Sequence, residues 1–71
     1  MDQKLNEIYK TCKEFYNNKN YQKALELGLE LVKNKVSNEY LYQMIINIYY
    51  LNKDYDNAIK FLYCISNYNY S

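Results

Sequence analysis

Residues Tyr16–Leu25 (YNNKNYQKAL) return 34 positions later as Tyr50–Ile59 (YLNKDYDNAI), with five identities and two close substitutions among the ten pairs. An internal period of that length, carrying tyrosine, alanine and large apolar residues at fixed places, is the mark of stacked units built from two helices each. One such unit cannot bury its apolar face alone, so the repeat constrains the fold before any single residue is read.

The 71 residues have room for one domain, spanning 1–71. A chain of this mass buries only about 60 to 65% of the surface that its unfolded form exposes, which leaves a thin margin of stability. There is no proline, and the single glycine is Gly28, so helix propensity runs almost uninterrupted. Breaks must come from polar clusters, at Asn17-Asn18-Lys19-Asn20, at Asn34-Lys35-Val36-Ser37-Asn38 and at Asn52-Lys53-Asp54. Short polar side chains accept hydrogen bonds from the free N–H groups of a following helix, which makes Asn20, Ser37 or Asn38, and Asp54 candidate N-caps. Four helices are expected, at about 3–17, 21–34, 39–52 and 55–67.

Their periodicities differ. Leu5, Ile8, Cys12 and Phe15 form one stripe on an otherwise polar first helix. The second helix carries Ala24, Leu27 and Leu31 on one stripe and Leu25, Leu29 and Val32 on another, as suits a helix with neighbours on two sides. The third, with Leu41, Tyr42, Met44, Ile45, Ile46, Ile48, Tyr49 and Leu51, is apolar almost all round and reads as the central buried helix. The fourth repeats the second, with Ala58, Phe61, Leu62 and Ile65 expected inward. It also carries Ile59 and Tyr63 where a further helix would stack, and the sequence supplies no such helix.

Charge and composition remove several classes of function. Nine lysines offset eight acids and interleave with them, and arginine is absent, which argues against nucleic acid or an anionic membrane as partner. No stretch approaches the 18 apolar residues of a membrane span, and the polar N-terminus lacks a secretory pattern, so a cytoplasmic location is expected. Cys12 and Cys64 lie far apart among apolar neighbours with no histidine in the chain, and both are expected to be reduced core thiols, with no metal or other cofactor. No histidine base, Gly-rich phosphate loop or activated thiol is present, so an enzyme is not expected. Asp54 and Asp56 read as helix cap and dipole compensation.

Several positions resemble the tetratricopeptide repeat family. Ile8 and Tyr42 take its early large place, Phe15 and Tyr49 its late aromatic, and Tyr21-x-x-Ala24 and Tyr55-x-x-Ala58 its aromatic-x-x-Ala step. The sequence departs from that pattern in three respects. Cys12 and Ile46 share the small mid-helix place, no glycine precedes the turn, and Val36 and Tyr70 replace the terminal proline. The resemblance implies an all-α fold of two antiparallel helical hairpins stacked as a short solenoid, with repeat one at about 5–38 and repeat two at about 39–71. A generic four-helix bundle is the other reading of the same amphipathic pairs.

By that resemblance the chain is a protein–protein interaction module. A peptide groove would run along Asn6, Tyr9, Lys13 and Tyr16 of the first helix beside Tyr40, Gln43, Asn47 and Tyr50 of the third. Tyrosines offer contact area at modest entropic cost and amides can satisfy a peptide backbone. A solvated face in a chain with eleven tyrosines is the plainer reading. A clamp for a peptide carboxylate is not expected, since only Lys13 and Asn47 approach its requirements. A self-association surface is expected at Ile59, Leu62, Tyr63, Tyr68 and Tyr70, giving a homodimer through the uncapped last helix. Two alternatives remain open: a small regulatory inhibitor of phage or mobile-element type that docks on a host protein, and a fragment of a longer repeat scaffold.

Overall fold

The computed structural model describes residues 3–36 and 38–70, with side chains through Cys64. It is all-α among those residues, with α1 at Gln3–Asn17, α2 at Tyr21–Lys33, α3 at Glu39–Leu51 and α4 at Tyr55–Tyr70. The polar clusters mark all three breaks, and the last helix runs three residues beyond its expected end. The helices pack in pairs, α1 with α2 and α3 with α4, and the chain divides into two compact units, at 1–37 and 38–71. We call the pairs hairpin 1 and hairpin 2. No helix of the described residues is long and apolar enough to cross a membrane.

The three turns share one solution. Lys19, Lys35 and Lys53 adopt left-handed backbone conformations with φ of 64°, 65° and 61°. Each N–H reaches back to a carbonyl three residues earlier, and the next N–H reaches five residues back: Asn20 to Phe15, Val36 to Leu31 and Asp54 to Tyr49, at 2.8, 3.0 and 2.8 Å. This is the Schellman closure of a helix, which usually takes glycine at the left-handed residue because it has no Cβ to clash. Here each lysine bears that strain, which explains how the turns form without the glycine that the family favours.

The residue after each lysine sets how the chain continues. Val36 and Leu31 are both buried, as suits the apolar positions of this closure after α2. Asn20 and Asp54 instead open the next helix, their carbonyls accepting from the N–H groups of Ala24 and Ala58. Asn38 caps α3 as expected, its Oδ1 accepting from the Leu41 N–H at 3.2 Å from an extended backbone. Ser37, the alternative cap, lies outside the described residues. Asn20 stands at the cap position of α2 but makes no side-chain cap bond. Its φ and ψ of −88° and 73° are set by the turn that its own N–H closes, and they keep the side chain from the geometry that Asn38 attains.

Within each hairpin the helices run antiparallel. Cys12 Sγ donates to the Ala24 carbonyl at 3.1 Å, and nearer the turn the Tyr16 and Tyr21 rings meet edge-on with centroids 5.7 Å apart. The same pair returns in hairpin 2, where Tyr50 and Tyr55 meet at 5.6 Å and nearly the same tilt. Ala24 and Ala58 are buried where the two helices of each hairpin approach. Deeper in hairpin 2, Phe61 packs between Tyr42 and Tyr49, at 6.1 and 5.8 Å.

Among the described residues, the largest fully buried side chains are Leu31, Leu41, Ile45, Ile48 and Cys12, and Ala24 is fully buried as well. On α1 only Cys12 is fully buried, and Leu5, Ile8 and Phe15 are half-buried. Helix α3 is buried along Leu41, Met44, Ile45 and Ile48 but not all round, since Leu51 is exposed. Two expectations fail on α4. Cys64 is exposed, and so is Leu62, which was expected inward. Both stand to the side of the line, through Ala58 and Phe61, along which α4 meets α3, and that contact is too narrow to cover them.

Candidate functional site

Hairpin 2 carries an open hollow of about 390 Å³ lined by Gln43, Ile46, Asn47, Tyr50, Ala58 and Leu62. Helix α3 supplies Gln43, Asn47 and Tyr50 at i, i+4 and i+7, which is one face of a helix. Ile46 on α3 and Ala58 and Leu62 on α4, the last two one turn apart, supply its apolar part. Gln43 Nε2 points back along α3 to Glu39 Oε1 at 3.5 Å. Tyr50 leans edge-on against Tyr55 across the turn. At the start of α4, Asn57 Nδ2 donates to Asp54 Oδ2 at 2.8 Å, which fixes the first turn.

Three of the groove residues expected on the third helix, Gln43, Asn47 and Tyr50, therefore meet at one hollow, while Tyr40 is exposed outside that lining. On α1, Asn6 is exposed, Tyr9 is half-buried with the Lys13 ammonium 4.6 Å from its ring centre, and Tyr16 is engaged with Tyr21. Pairing with the Tyr9 ring draws Lys13 along its own helix.

Of the self-association set, Ile59, Leu62 and Tyr63 are 50, 55 and 66% exposed, whereas Tyr68 and Tyr70 lie outside the described side chains. Leu62 belongs to both surfaces, since it lines the hollow and is exposed beside Ile59. Ile46 and Ala58 were not among the expected site residues. The signal for them lay in the repeat itself: Ile46 and Leu62 stand 34 positions after Cys12 and Gly28, so two small buried residues of hairpin 1 become two large ones at the hollow.

A second hollow, of about 330 Å³, lies on hairpin 1 among Lys4, Glu7, Ile8, Thr11 and Leu27. Its lining mixes the charged Lys4 and Glu7 with Thr11 and two apolar residues, Ile8 and Leu27. Burial pushes the Cys12 thiol above its ordinary range, and burial together with the Asp54 carboxylate does the same to the Tyr49 phenol. Both shifts favour the protonated forms, whereas nucleophilic chemistry is helped by a lowered value. No cluster of three potential metal ligands occurs among the described residues.

With the turn closures, tyrosine pair and buried alanine established for hairpin 1, comparison with protein families gives a matching result. Residues 5–31 match the tetratricopeptide repeat family. The matched segment runs from Leu5 on α1 to Leu31 on α2, the core of hairpin 1. The features that define this tetratricopeptide-type hairpin recur in hairpin 2 at a 34-residue offset, in Tyr50, Lys53, Tyr55 and Ala58. No curated protein and no solved structure matches the chain.

Proposed function

We propose that the chain is a protein-interaction module whose binding surface lies on hairpin 2. One observation carries the reading: among the described residues, the exposed large apolar ones, Tyr40, Tyr50, Leu51, Tyr55, Ile59, Leu62 and Tyr63, all belong to that hairpin. A family whose repeats present helical faces to other proteins supports the same reading. In it, a peptide or helical segment of the partner lays an apolar side chain against Ile46, Ala58 and Leu62. Gln43 and Asn47, one turn apart, offer amide donors and acceptors to its backbone, and Tyr50 closes the rim.

A panel of peptides selected from a random display library tests this on the whole chain. The expected peptides share an apolar anchor and bind Leu62→Lys about tenfold or more weakly, because a buried ammonium replaces an apolar contact. Unchanged affinity for Leu62→Lys places binding elsewhere and overturns the reading.

The exposure of Ile59, Leu62 and Tyr63 favours a second use of the same hairpin, self-association through α4. Contiguous apolar surface on a small domain marks an interface more often than a solvated face.

A further inference from the structure

We infer that the α4 face pairs with the same face of a second copy in a closed two-fold dimer, leaving hairpin 1 outside the contact. The inference rests on the self-association reading above and adds a partner geometry to it. Two copies can meet either through the same patch on each or through two different patches, and the second arrangement leads to rings or open filaments. Distribution of exposed apolar surface separates these cases. Tyr55, Ile59, Leu62 and Tyr63 stand at i, i+4, i+7 and i+8, a continuous exposed stripe over two turns of α4. Hairpin 1 has nothing to match it, because no large apolar residue of hairpin 1 is exposed among the described residues.

The internal repeat sharpens the contrast. Glu7, Lys10, Thr11 and Glu14 form one exposed face of α1, and their counterparts 34 positions later, Leu41, Met44, Ile45 and Ile48, are all buried. Docking α4 of one copy on that α1 face would desolvate three charges against apolar side chains, at a cost that the contact cannot recover. Only hairpin 2 of another copy offers an apolar complement, and there the α4 stripe is continuous whereas α3 exposes Tyr40 apart from Tyr50 and Leu51, so the best match for the stripe is the same stripe and the contact stops at two.

Charge on α4 fits the same geometry. Asp56 and Lys60 are both exposed on one flank of the stripe, one turn apart. In an antiparallel two-fold pair of helices each flank meets the same flank of its mate. Asp56 therefore approaches Lys60 of the second copy, and Lys60 approaches its Asp56.

Sedimentation equilibrium of the full chain over a wide concentration range, with Asp56→Lys and Lys60→Asp alone and mixed, tests the pairing. The expected mass settles at two chains. Each variant alone faces like charges across the contact and dissociates at least about tenfold more readily, and an equimolar mixture restores the dimer because all-positive and all-negative flanks then meet. Recovery on mixing also shows that both variants are folded. A wild-type mass that grows past two chains, or variants that do not rescue each other, overturns the closed pairing while self-association stands. A monomer at every concentration overturns both.

Discussion

In hairpin 1, the second helix brings Gly28 to a buried position; 34 residues on, in hairpin 2, Leu62 takes that place and is 55% exposed. The same reversal occurs on the first helices in the other direction, where exposed Thr11 corresponds to fully buried Ile45. The turns, the edge-on tyrosine pairs and the central alanines do not change between the two. A repeat thus conserves the contacts that hold its own two helices together, while the outward faces are free to become core, solvent surface or interface. Here the apolar surface left over has collected on hairpin 2.

The largest effects should fall where the hairpins differ most in burial. Ile45→Ala removes a fully buried side chain and should cost about 2–5 kcal/mol, whereas Thr11→Ala at the equivalent place should stay within about 0.5 kcal/mol. Urea titrations of both variants check this, and equal losses would dissolve the distinction between the two first helices.

A smaller contrast is expected at the paired alanines. Ala24 is fully buried with Cys12 Sγ 3.1 Å from its carbonyl, so Ala24→Leu should cost about 1–3 kcal/mol through overpacking. Ala58 is also buried between its helices but keeps 8% exposure at the edge of the open hollow, so Ala58→Leu can relax outward and should cost less than Ala24→Leu. Thermal unfolding of the two variants ranks them, and the reverse order would mean that the hollow is not open in solution.

The smallest effect is in the alkaline range. Folding raises the Cys12 thiol above its ordinary 9.0 and the Tyr49 phenol above its ordinary 10.0, so the unfolded chain loses these protons first. The stabilisation is complete below pH 9.0 and is lost as pH rises from there through the folded values. Cys12→Val should abolish the component that begins at the thiol and leave the later tyrosine component, as read from urea midpoints at successive pH values. An unaltered profile would deny that the thiol is held neutral by the core.

Much of this fold was legible in the chain, and for identifiable reasons. Asn18-Lys19 and Asn52-Lys53 broke the helices where expected, because clusters of short polar residues compete with helical bonding. The left-handed state of Lys19, Lys35 and Lys53 was not legible, since nothing in a lysine side chain asks for it. Cys64 and Leu62 were assigned inward because apolar periodicity gives a helix face without saying whether anything covers it. Gln43, Asn47 and Tyr50 were named from the family resemblance, which sets ligands along the first helix of each repeat, and they line one hollow while Tyr40 does not. Ile46 and Ala58 were not, since their part in the hollow depends on how α4 packs beside them.

The claim that hairpin 2 holds the interaction surface is tested most directly by residue-resolved amide NMR of the full chain as its concentration is raised. The account predicts that shifts and line broadening concentrate on α4 from Tyr55 to Cys64 and on the adjoining α3 residues of the hollow, with α1 unchanged. Changes centred on Glu7, Lys10 and Glu14 instead would contradict it.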